Sequence, residues 1–101
     1  MIRHVVMWKL KEKADGYDRL TNMERVKGEL EALPLRMPGV IRKLEVGVND
    51  LENGTNFDLI LIADFDDYEA LDTYLTHPEH LKVADLVMKV REQRAAVDFK
   101  L

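Results

Sequence analysis

Three histidines and three tyrosines carry most of the proton chemistry open to this chain, which has no cysteine. His4 is the odd member of a strand-like run whose same phase reads Ile2, Val6 and Trp8. A lone histidine on an apolar face usually completes a hydrogen-bond network in a core or an interface. The alternative is a proton-transfer or substrate-positioning group in an apolar cavity, where a shifted pKa suits acid/base work. The second concentration is Tyr74-Leu75-Thr76-His77-Pro78-Glu79-His80. Histidines three apart at a helix start can project to one side. As acid and base, Tyr74 and His80 would flank a cavity, the phenol donating while the imidazole abstracts. As metal ligands, His77 and His80 would need a third donor, His4 or an acid, and no further motif supplies one. In the plainest case His77 caps the helix and His80 lies on its surface.

Asp64, Asp66, Asp67, Glu69 and Asp72 form an acidic group that could hold a divalent cation through oxygen. A helix start collects acids for its dipole without any metal, and that explanation is preferred; Lys89, Arg91 and Arg94 near a helix end fit the same logic. The sequence holds no GxGxxG, Walker loop, GxSxG or HExxH, which removes the main support for nucleotide, serine-hydrolase and zinc-protease chemistry. Without cysteine there is neither a disulfide framework nor a thiolate site. No metal and no organic cofactor is expected.

These side chains need elements to place them. Residues 2–10 are rich in β-branched and aromatic residues and read as a strand. From about Tyr17 to Leu33, the residues Leu20, Met23, Val26, Leu30 and Leu33 form one helical stripe, stopped by Pro34. Pro38-Gly39 marks a turn, residues 40–48 a second strand, and Asn53-Gly54 lies in a polar link to a third strand at 58–65. Asp66-Asp67-Tyr68-Glu69 resembles a capping box for a short helix to about Thr76. His77-Pro78 restarts the helix, with Leu81, Ala84, Val87, Met88 and Arg91 on one side, and Val97, Phe99 and Leu101 alternate as a last strand. The order strand, helix, strand, strand, helix, strand predicts an α+β, ferredoxin-like βαββαβ domain over residues 1–101, with a four-stranded antiparallel sheet.

Strand phases also predict a partner. The first strand is apolar on both sides, with Val5 and Met7 opposite Ile2, Val6, Trp8 and Leu10. The third repeats this, Ile60 and Ile62 standing against Leu59, Leu61, Ala63 and Phe65. Strands apolar in both phases are covered on both faces, yet the chain has helix enough for only one. The other face should meet a second copy, giving a homodimer through the sheet. With 15 basic against 19 acidic side chains, the charge of −4 argues against a nucleic-acid partner. No apolar run approaches the roughly 20 residues that span a bilayer, so a membrane is not expected and a cytoplasmic location is the default.

The run Ile2-Arg3-His4-Val5-Val6-Met7-Trp8-Lys9-Leu10-Lys11, Pro38-Gly39-Val40 with Glu45-Val46-Gly47, Asp58-Leu59 leading to Phe65, the HPxH element His77-Pro78-Glu79-His80 and the final Asp98-Phe99 together resemble the stress-responsive A/B barrel domain (Dabb) family, within the dimeric α/β-barrel superfamily. The resemblance covers essentially the whole chain. It implies a ferredoxin-like protomer whose dimer joins two sheets into a barrel. Members are mostly small and biochemically uncharacterised, and plant relatives respond to stress. Enzymatic relatives include a polyketide cyclase in which residues matching Tyr74 and His80 act as acid and base, with matches to His4 and His77 close by; similar barrels serve cofactor-free monooxygenases. The resulting expectation is a cavity beside the sheet, lined by His4, Val6, Trp8, Tyr74, His77 and His80, that binds or transforms a small carbonyl-bearing compound. The rival is a structural or stress-response dimer without catalysis. An open cavity reached by both imidazoles favours the first, and filling by Trp8 the second.

Overall fold

Strand β1 (Ile2–Leu10) lies inside the sheet because every second residue, from Ile2 through His4, Val6 and Trp8 to Leu10, is buried against the helices. The computed structural model describes residues 1–101. After β1 come a hairpin of β2 (Lys13–Ala14) and β3 (Tyr17–Asp18), helix α1 (Arg19–Glu31) and one turn of helix, α2 (Leu33–Arg36). Strands β4 (Lys43–Val48) and β5 (Leu59–Phe65), helices α3 (Tyr68–Thr76) and α4 (Pro78–Val90) and strand β6 (Arg91–Lys100) complete the chain. The main sheet runs β4-β5-β1-β6 with every pairing antiparallel. This is the ferredoxin-like α+β fold that the element order predicts.

The expected boundaries move in four places. The first helix starts at Arg19, not Tyr17, because Asp15-Gly16 takes positive φ at both positions and closes a two-residue hairpin in which Ala14 pairs Tyr17. The Asp18 carboxylate then accepts the Thr21 N–H at 2.8 Å and caps α1. Leu20 consequently falls outside the stripe and is 68% exposed. Pro34 does not end the helical region but sits in the first turn of α2, where a missing N–H costs nothing. The second strand begins at Lys43 instead of residue 40, while the last begins at Arg91, well before Val97.

The cap of α3 is Asp67, which accepts the Ala70 N–H at 2.8 Å, one residue later than a box from Asp66 to Glu69 would place it. The buried residues of α4 are Val83, Val87 and Val90; Leu81 and Met88 of the predicted face are exposed. One layer of helix covers the face of the sheet that bears His4, Val6 and Trp8. On the other face Met7, Val97 and Phe99 are exposed, and Val5, Ile60 and Ile62 are half-buried. The Arg3 guanidinium donates to both Asp64 carboxylate oxygens, at 2.8 and 2.9 Å, at the margin of that apolar patch.

Candidate functional site

Between the sheet and helices α3 and α4 lies a cavity of about 210 Å³. Five of the six residues expected there line it: His4, Val6 and Trp8 from β1, Tyr74 from α3 and His80 from α4. Trp8 forms a buried part of the wall and leaves the space open. His77 is not among the lining residues. Its Nδ1 accepts the Glu79 N–H at 3.1 Å, so the ring caps α4 and is committed to the helix start.

The antiparallel register fixes His4. It sets Asp98 of β6 directly opposite His4 of β1, on the cavity side, and the two side chains hydrogen-bond through His4 Nδ1 and Asp98 Oδ1. The carboxylate accepts, so Nδ1 carries the proton and the other ring nitrogen, Nε2, is left for other partners. The His4 and Tyr74 rings meet edge to face, with centroids 6.1 Å apart. Phe65 packs behind the phenol at 5.0 Å.

Tyr74 is the hinge of the site. Its ring stands 4.5 Å from that of His80, between the two imidazoles, and is fully buried. Its hydroxyl has no hydrogen-bond partner in the protein. Burial pushes the phenol far above its ordinary range, because the phenolate would lose its hydration. Tyr74 therefore stays protonated and keeps an unspent donor. His80 Nδ1 donates to the Leu75 carbonyl at 3.1 Å, which leaves the lone pair on Nε2. Burial lowers the His80 pKa; the Leu75 carbonyl opposes that shift, and the charges of His4 and Arg94 add to it. At neutral pH the imidazole is uncharged and able to accept a proton. A neutral acid and a neutral base thus share one small apolar space.

Three members of the acidic group have structural partners, and Glu69 lies in the first turn of α3. Asp64 is held by Arg3, Asp66 by Arg42 at 2.7–2.8 Å, and Asp67 caps α3. No three histidine, aspartate or glutamate side chains converge as metal ligands would. Sequence reasoning missed the Asp98 partner of His4 and the presence of Arg91 and Arg94 at the cavity. Only the strand register, which no local pattern states, could have supplied either.

Fold and site together define a ferredoxin-like α+β protein with a histidine–tyrosine cavity under its helices. Residues 2–101 match the description of the stress-responsive A/B barrel domain, and the chain belongs to that family, Dabb. A dimeric ferredoxin-like protein of unknown function from Bacteroides fragilis is similar at 34% identity, with 99% of this chain and 95% of that one covered and a TM-score of 0.83. A second dimeric ferredoxin-like protein, from Thermobifida fusca, has 25% identity, coverage of 99% and 90%, and a TM-score of 0.82. The hydroxynitrile lyase of Passiflora edulis shares the fold at 13% identity, with 97% and 90% covered and a TM-score of 0.78. No curated protein matches the chain. No helix is long and apolar enough to cross a membrane.

Proposed function

We propose that this chain acts as a homodimer, joined through the open sheet face, in which each protomer's cavity binds a small, partly apolar, carbonyl-bearing compound and transfers a proton on it. The unpartnered hydroxyl of buried Tyr74, set beside the neutral imidazole of His80, carries this reading. Leaving a buried hydroxyl without a partner costs roughly 1–3 kcal/mol, a cost that a bound carbonyl oxygen would remove. In the reaction His80 Nε2 takes a proton from carbon next to the carbonyl, while Tyr74 donates to the oxygen on which charge builds. His4, held by Asp98, positions the substrate. Val6 and Trp8 supply the apolar wall, and no cofactor enters the step.

Exchange of the α-protons of 2-hexanone in D2O, followed by NMR, tests this. The protein should accelerate exchange, and His80→Ala should lower the rate at least ~100-fold, the usual scale of a general base. The same exchange rate in the His80→Ala variant, or none above buffer in the parent, would refute the mechanism. A non-catalytic dimer is the second reading; the open cavity beside Trp8 counts against it.

A further inference from the structure

The pairing of β6 with β1 contains one irregularity, and it falls beside the cavity. The strands oppose residue for residue from Lys100 and Ile2 down to Gln93 and Lys9, but Leu10 then faces Arg91. Glu92 is the extra residue of a β-bulge. Along a regular strand, positions three apart point to opposite faces. The bulge cancels that alternation, so Arg91 and Arg94 both turn to the helix side, and both line the cavity.

Neither guanidinium is occupied. Arg3, Arg25, Arg36 and Arg42 each hold a carboxylate, whereas Arg91 and Arg94 have no ion pair and no side-chain hydrogen bond. None of the lining residues is a carboxylate, and Asp98 on the same face is engaged by His4 Nδ1, although the chain as a whole has 19 acidic against 15 basic side chains. The cavity of an acidic protein therefore has a cationic rim. The same cavity is lined by Val87 and Met88, by His80 and by buried Tyr74, whose hydroxyl has no partner. Two guanidiniums on one face match the planar oxygens of a carboxylate, which can accept from both. The volume, below the roughly 300–1,000 Å³ of drug-sized sites, limits the occupant to a short molecule.

We propose that the cavity recognises a small amphiphilic carboxylate, its anionic end held by Arg91 and Arg94 and its hydrocarbon body laid along the apolar wall toward Tyr74 and His80. This rests on the proton-transfer reading and names its substrate class: a short carboxylic acid with a carbonyl several bonds from the carboxylate. The bulge at Glu92 is the device that makes the recognition possible, because a regular β6 would send one of the two guanidiniums to the open face.

Two probes of equal shape and different charge test it: hexanoate and hexanamide, titrated into the protein by NMR. Hexanoate should bind at least ~10-fold more tightly. The double substitution Arg91→Gln with Arg94→Gln should bring the two probes to equal affinity, and Arg91→Lys with Arg94→Lys should keep most of the preference, since charge survives while fork geometry is lost. Thermal melts of both variants establish that they are folded. Equal binding of the two probes to the parent, or a preference for hexanoate that survives the glutamine pair, overturns the carboxylate proposal. If 2-hexanone exchange persists in that case, the proton-transfer reading stands without it. Failure of both probes to bind, together with absent exchange, removes both.

Discussion

Tyr74 sets activity against stability. A buried hydroxyl without a partner is a liability of roughly 1–3 kcal/mol, so Tyr74→Phe should raise the unfolding free energy by about 1 kcal/mol in urea titrations. The same change should remove the proton donor and slow 2-hexanone exchange; a variant that loses stability instead would show that the hydroxyl is satisfied in solution. The burial of His80 has its own consequence. Its folded-state pKa lies below the ordinary 6.5, so the unfolded chain takes up the proton first as pH falls. The stability tied to His80 is therefore complete above pH 6.5 and lost as pH drops from there to the depressed value. Exchange activity should hold through neutrality and fall only on the acid side, and urea titrations of His80→Ala across that range should show a weaker acid loss. The types and spacing of His4, Tyr74 and His80 could be read from the chain, since they stand out against apolar surroundings. Asp98, Arg91 and Arg94 could not, because their relation to the cavity depends on which strand lies beside β1 and in what register.

Elements were predictable where periodicity is strong, and their edges were not. The stripe Met23, Val26, Leu30 and Leu33 and the double-phase strands β1 and β5 are long enough to declare themselves. The hairpin at Asp15-Gly16 is two residues of turn between two-residue strands, too short for a strand pattern, and its second strand, Tyr17-Asp18, falls inside the start of the helical reading. The bulge at Glu92 has no sequence signature, since it exists only as a count against β1. Helix α3 offers the cleanest test at this scale, because it carries Tyr74 and is anchored by a single capping side chain. Asp66 cannot replace Asp67 as that cap while Arg42 holds both of its oxygens. Asp67→Ala should therefore cost about 1 kcal/mol in urea unfolding. A loss within error of zero would mean that water or a neighbour satisfies the Ala70 N–H.

The molecule as a whole leaves one surface unexplained by its own chain. Val5 pairs both Ile62 of β5 and Val97 of β6, and Met7 both Ile60 and Ala95, so apolar rows from three strands meet on the face without helices. Covering one face uses all the helix that 101 residues supply. The patch is bordered by the Arg3–Asp64 pair, in which the guanidinium holds the Asp64 carboxyl below its usual range and keeps both partners charged. Apolar centre and charged margin are what a self-complementary two-fold contact requires. The polar segment from Asn49 to Asn56, the longest link in the chain, has no apolar run with which to cover the patch instead. Val5→Lys separates the two possibilities, since it puts a charge at the centre of the face while leaving the buried phase of β1 untouched. The parent should sediment as two chains at micromolar concentration and melt at a temperature that rises with concentration. Val5→Lys should sediment at the mass of one 11.7 kDa chain, with a melt independent of concentration. A parent that sediments as one chain would mean that the exposed rows are tolerated in a monomer, and the dimeric assignment would fall with it.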